Sequence, residues 1–180
     1  GSTALINGSR YYASQTIGSC ESKNRLEIIV IVSDPAAPTG SSQQLFCAIN
    51  NPTVASLSAT GTSIKWYSTV SGGIALASSA ALTNGSHYFA SQTINGCESD
   101  NRLDVIATIL NLSKPTEKID CTLGSGNAVI TVTDPIGEGI EYCLNNGQYQ
   151  TSPVFTAIKN GEYFITVKNT SGCIMTGDQF

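Results

Sequence analysis

Charge is scarce in this chain. Asp, Glu, Lys and Arg make up 12% of its 180 residues, and it holds one His, one Trp and one Met. The Lys and Arg residues form no basic run and the net charge is −4. That argues against nucleic acid and against anionic membrane surfaces, because both are gripped by grouped cations. Long hydrophobic runs are lacking too. The longest, "IIVIV" at 28–32, is far below the roughly 20 residues that span a bilayer as a helix. It reads as a buried strand, and membrane insertion is not expected. Gly1–Arg10 has no basic start, apolar stretch or small-residue cleavage site of the kind that marks a secretory signal. If the protein is exported, its signal lies outside this segment.

None of the six cysteines stands in a C-x-x-C pair, which disfavours zinc and a thioredoxin-type centre. In a chain this rich in Ser and Thr, six cysteines point to disulfides and an oxidising, extracytoplasmic compartment. Catalytic groupings are also missing. His87 is the sole histidine and is replaced by Arg10 in the repeat described next, so it reads as a surface strand position and not as part of a Ser-His-Asp or Cys-His array. Glu21, Glu27, Asp34, Glu98, Asp100, Asp104, Asp134, Glu138 and Glu141 are scattered without D-x-D-x-D-G spacing. Asp34 at a linker or "DPIGEGIE" (134–141) could make a weak oxygen site for calcium, but solvated turn carboxylates account for them better. No cofactor, no metal and no enzymatic activity are expected. "GSGN" (124–127) lacks the Lys of a phosphate loop and reads as a turn.

What the chain does have is repetition. Residues 4–29 laid on 81–106 give 18 identities in 26 positions, at a constant offset of 77, with Cys20 on Cys97. The second copy has a further half, Asp34 to Ala80, ahead of the match, so the first is expected to be the C-terminal part of a unit whose beginning is missing here. "SDPAAPTG" (33–40) and "NLSKPTE" (111–117) read as short stiff linkers. Three parts are expected: 1–33, truncated; 34–111, complete; and 112–180, a divergent relative.

Short runs of β-branched and aromatic residues between Gly, Asn and Ser turns predict strands. In the complete unit they are "VASLSA" (54–59), "IKWY" (64–67), "SHYFASQT" (86–93) and "RLDVIATI" (102–109), and in the last part "AVITVT" (128–133), "IEYCL" (140–144), "SPVFTAI" (152–158), "GEYFITVKN" (161–169) and "GCIMTG" (172–177). The fold class is all-β: tandem β-sandwiches arranged end to end, the first incomplete. Leu103, Val105, Ala107 and Ile109 share one face, as do Leu26, Ile28, Val30 and Val32 in the first copy, and both sets should point inward. Trp66 is expected in the core with Leu103 and Val105, not on a sugar-stacking platform, while Tyr12, Tyr67 and Phe89 fall out of phase and should be exposed. Asn95-Gly96 should turn a hairpin. The 33-residue first copy supplies about one hairpin, which must lean on its missing half or on the next domain.

Cys47 precedes the first long strand and Cys97 opens the last, so a Cys47–Cys97 bond would tie the two ends of one sandwich. Cys121 and Cys173 pair by the same logic. Cys20 is left without a partner in this segment and Cys143 is a small buried thiol.

The stretch "SIKWYSTVSGGIALASSAALTNGSHYFASQTINGCESDNRLDVIATI" resembles the Ig-like repeats of very large Bacteroidetes cell-surface adhesins, and "IEYCLNNGQYQTSPVFTAIKNGEYFITVKNTSGC" resembles their companion module. It departs from that module at Cys143, where Ser is usual. The resemblance implies a gliding-motility type of adhesin exported by the type IX secretion system, lying on the outer surface of a Gram-negative bacterium. Its implied partners are neighbouring repeats, a surface polysaccharide or substratum, and secretion or motility machinery. The same modules also serve as spacers or carbohydrate-binding accessories of secreted multidomain enzymes, which is the alternative reading.

Overall fold

In the computed structural model, which describes residues 3–122 and 127–180, regular structure is almost entirely β. The first copy forms β1 (Arg10–Ala13), β2 (Thr16–Ile17), β3 (Cys20–Glu21) and β4 (Leu26–Ile29). β1 and β4 pair antiparallel, and β2 with β3 makes a small ribbon at one end. Leu26, Ile28 and Val32, expected to face inward, are 66%, 46% and 50% exposed. Among the described residues, no second layer lies opposite this two-stranded one to bury them.

The second copy has what the first lacks. Its strands are β5 (Gln43–Cys47), β6 (Lys65–Tyr67), β7 (His87–Ser91), β8 (Thr93–Ile94), β9 (Cys97–Glu98) and β10 (Leu103–Leu110). The main sheet has the order β5-β10-β7-β6, and the period-2 pattern of β10 puts Val105 and Ala107 at zero exposure. Val54, Leu57, Trp66, Leu82, Tyr88 and Ala90 complete this core, with Leu103 and Ile109 packed partly buried against it. The strand expected at 54–59 does not form. Thr53 N donates to Ser56 Oγ at 3.2 Å and Ser56 N to Thr53 O at 2.7 Å, so local polar partners draw the backbone into a single 3-10 turn at Val54–Ser56. Val54 and Leu57 still cover the sheet.

β5 was not foreseen, since Gln43 and Gln44 break any apolar alternation. It runs parallel to β10, from Ile106↔Gln43 to Leu110↔Cys47. Cys47 therefore sits at the end where β10 finishes. The β8–β9 ribbon, turned at Asn95 (φ 50°) and Gly96 (φ 82°) as expected for a type I′ hairpin, lies at the end where β10 begins.

The last part contains β11 (Thr116–Asp120), β12 (Asn127–Asp134), β13 (Ile140–Leu144), β14 (Val154–Lys159), β15 (Ile165–Asn169) and β16 (Ile174–Thr176). Two three-stranded sheets, β11-β12-β14 and β13-β15-β16, close on a core of Leu112, Ile130, Val132, Tyr142, Ile165 and Val167. This is an Ig-like β-sandwich arrangement of the expected class. The turn expected at 124–127 falls largely outside the described residues.

Candidate functional site

Two constructions stand out, one joining the parts of the chain and one inside the second unit. The first is covalent. Cys173 follows Gly172 (φ 81°) in the hairpin between β15 and β16. Its backbone N–H donates to Asn169 Oδ1 at 2.9 Å, as does that of Ser171 at 3.1 Å, so an Asx turn fixes the hairpin tip. Buried there, Cys173 is bonded to Cys47, with Cα atoms 5.5 Å apart. The bond leaves the second unit at the end of its first strand and enters the third at its hairpin.

This replaces the expected pairs Cys47–Cys97 and Cys121–Cys173. Parallel pairing of β5 with β10 places Cys47 and Cys97 at opposite ends of the sheet, separated by about the length of an eight-residue strand, roughly 26 Å. A disulfide needs Cα atoms within about 7 Å. Cys20, Cys97, Cys121 and Cys143 are free. Cys20 and Cys121 are exposed and Cys97 is half-buried, whereas Cys143 is 2% exposed and its thiol donates to Gly147 O at 3.3 Å.

The second construction centres on Glu98, which the sequence placed among solvated turn carboxylates. Its Oε1 accepts from Tyr67 OH and from Ser91 Oγ, each at 2.6 Å, and its Oε2 from Lys65 Nζ at 2.6 Å. These donors hold its carboxyl down at about 2, the Lys65 bond contributing most, then Ser91 and Tyr67. The same carboxylate raises Lys65, while Tyr67 is raised first by burial and then by Glu98. Tyr67, expected to be exposed, is 6% exposed. The Arg102 guanidinium lies 3.5 Å above its ring and donates to Thr69 O and Gly72 O at 2.7 and 2.9 Å. So the face of β6 opposite the core is sealed by polar groups.

A carboxylate already holding three donors is a poor base or ligand. Glu98 acts as a staple joining β6, β7 and the β8–β9 ribbon. A signal for it was present: Ser14, Glu21 and Arg25 repeat Ser91, Glu98 and Arg102. In the first copy the repeated stretch begins after the positions that would match Lys65 and Tyr67, and Glu21 pairs with Arg25 at 3.7 Å on the surface.

The other candidates are brought into no common site. Trp66 is 8% exposed in the core beside Val105, and Leu103 is only partly buried. His87 is half exposed on β7, with Nδ1 2.8 Å from Asp104 Oδ1. Arg10 and Glu27 make the equivalent cross-strand pair in the first copy. Asp34 Oδ1 accepts from Asp100 N at 3.2 Å and Asp134 Oδ2 from Ser113 Oγ at 2.6 Å. Among the described residues no three His, Cys, Asp or Glu side chains converge, and no helix is long and apolar enough to cross a membrane. A cavity of about 480 Å³ opens between Ile119, Ile130, Ile158, Tyr163 and Phe180. Its titratable lining residues are Cys121, Lys159 and Tyr163.

No curated protein matches the chain. Residues 35–110, the stretch that holds the β5-β10-β7-β6 sheet and the Glu98 staple, match the family described as Ig-like domain, CHU_C associated, and form an Ig-like module.

Proposed function

We propose that this chain is a length-building segment of a large extracellular protein, a stalk of Ig-like units at 1–33, 34–111 and 112–180 in a cell-surface adhesin. The observation that carries this reading is the Cys47–Cys173 bond. A bond between consecutive units contributes nothing to a ligand site, but it passes tension from one unit to the next. The Ig-like family match fits an extracellular or surface setting, and a disulfide fits an oxidising one. The titratable groups support a non-enzymatic role, since the most perturbed one, Glu98, is fully engaged by its neighbours.

Within this reading the parent is of the gliding-motility type, exported by the type IX system onto the outer surface of a Gram-negative cell. Its partners are neighbouring repeats, the substratum or its polysaccharide, and the export and motility machinery. Immunogold electron microscopy of intact source cells, with antibody against residues 34–180, tests it. Gold strung along long surface filaments is the expected result. Label confined to the culture medium or to compact surface spots would overturn it.

A further inference from the structure

The second and third units each place one cysteine at the end where the chain enters and one at the opposite end. In the second unit the hairpin cysteine, Cys97, lies at the end where the chain enters, and the first-strand cysteine, Cys47, at the end where it leaves. The third unit repeats this. Cys173 lies in the entry-side hairpin, and Cys121 directly follows first strand β11. Cys121 borders the cavity lined by Tyr163 and Phe180, at the start of β15 and so away from the hairpin after Asn169. Cys97 and Cys173 are also alike locally, each following a glycine at φ 82° or 81° in a hairpin turn. One outgoing thiol has already met one incoming thiol, in Cys47–Cys173.

We infer that Cys97 is the incoming half of a second bond of the same kind. It takes the first-strand cysteine of a preceding Ig-like unit with the pattern of residues 43–47, so that consecutive units are linked by a ladder of inter-unit disulfides. The repeat gives Cys20 the same role. This rests on the observed bond and on strand polarity, and it holds whether or not the parent is an adhesin. With glutathione disulfide as oxidant the step balances. One cysteine thiolate attacks glutathione disulfide and releases one glutathione, and the second cysteine then displaces the other, so two thiols are oxidised and one glutathione disulfide is reduced.

The test inserts one extra copy of residues 34–110 ahead of Asp34 in the full chain, folded in a glutathione redox buffer and mapped by mass spectrometry of non-reduced digests. Two variants separate the possibilities. With Cys97→Ser in the upstream copy, a Cys47–Cys97 linked peptide is expected beside Cys47–Cys173. With Cys97→Ser in the downstream copy, the Cys47–Cys97 peptide is expected to vanish while Cys47–Cys173 persists. Persistence of Cys47–Cys97 in the second variant would place the bond within one unit and overturn the inference. Its absence from both variants, or absence of Cys47–Cys173, would overturn it equally.

Discussion

Stretching the chain between residues 3 and 180 should feel very different before and after reduction. With Cys47 bonded to Cys173, 126 residues apart in sequence, tension entering the second unit crosses to the third through sulfur, and residues 48–172 carry none of it. Only residues 3–47 and 173–180 can be drawn out. At ~3.3–3.6 Å per extended residue the oxidised molecule should reach about 180 Å and the reduced one about 610 Å. In single-molecule force spectroscopy both core-unfolding events should be missing under oxidising conditions and should appear with dithiothreitol or in Cys173→Ser. In unstretched protein the same closure limits the unfolded chain by about 5 kcal/mol in the chain-entropy treatment. Reduction should therefore lower stability in chemical denaturation by up to that amount. Equal contour lengths with and without reductant would refute the load path and the pairing on which it rests.

Replacing Val105, which has zero exposure, by Ala should destabilise the second unit by about 2 kcal/mol. The same change at its repeat equivalent Ile28 should stay within about 0.5 kcal/mol, since that side chain is 46% exposed; urea denaturation of the two variants compares them. Glu98 is held at about 2 when folded, against an unfolded value of about 4.3, so its contribution is complete above about pH 4.5 and is lost as the pH falls toward 2. Allowing for its partial exposure, this amounts to about 1–2 kcal/mol, and Glu98→Gln should flatten the acid limb of a stability-against-pH curve. Tyr67→Phe removes one donor to Glu98 and should cost about 1 kcal/mol at pH 7. Iodoacetamide should modify Cys20 and Cys121 in native protein and leave Cys143 untouched until denaturant is added.

Strand positions were readable wherever burial imposes alternation. Val105 and Ala107 on β10 and Ile130 and Val132 on β12 follow the period-2 rule, whereas on β15 Thr166 is buried along with Ile165 and Val167. First strands β5 and β11 escaped notice because "QQLFC" and "TEKID" are half solvent-facing and carry amides or charges. The segment 54–59 misled in the other direction, since its apolar residues suit a strand but Thr53 and Ser56 offer the backbone a local alternative. Tyr67 is buried on the face away from the core because Arg102 and Glu98 cover it, and periodicity counts only one core. The cysteine pairing failed for a topological reason. Spacing along the chain reveals neither that β5 runs parallel to β10 nor, therefore, which end of the sheet each thiol occupies. The staple around Glu98 was half visible, in three residues common to both copies, but its Lys and Tyr donors lie outside the repeated stretch.

Because β5 and β10 run in the same direction, the polypeptide enters a unit at one end and departs from the other. A duplication or loss of 77 codons would then lengthen or shorten the string while leaving both joints chemically unchanged. With stretches as similar as 4–29 and 81–106, recombination between misaligned gene copies has ample homology to act on. On the proposed stalk reading, the architecture lets a lineage adjust reach in whole increments, each change arriving with its own pair of cysteines, equivalent to Cys47 and Cys97.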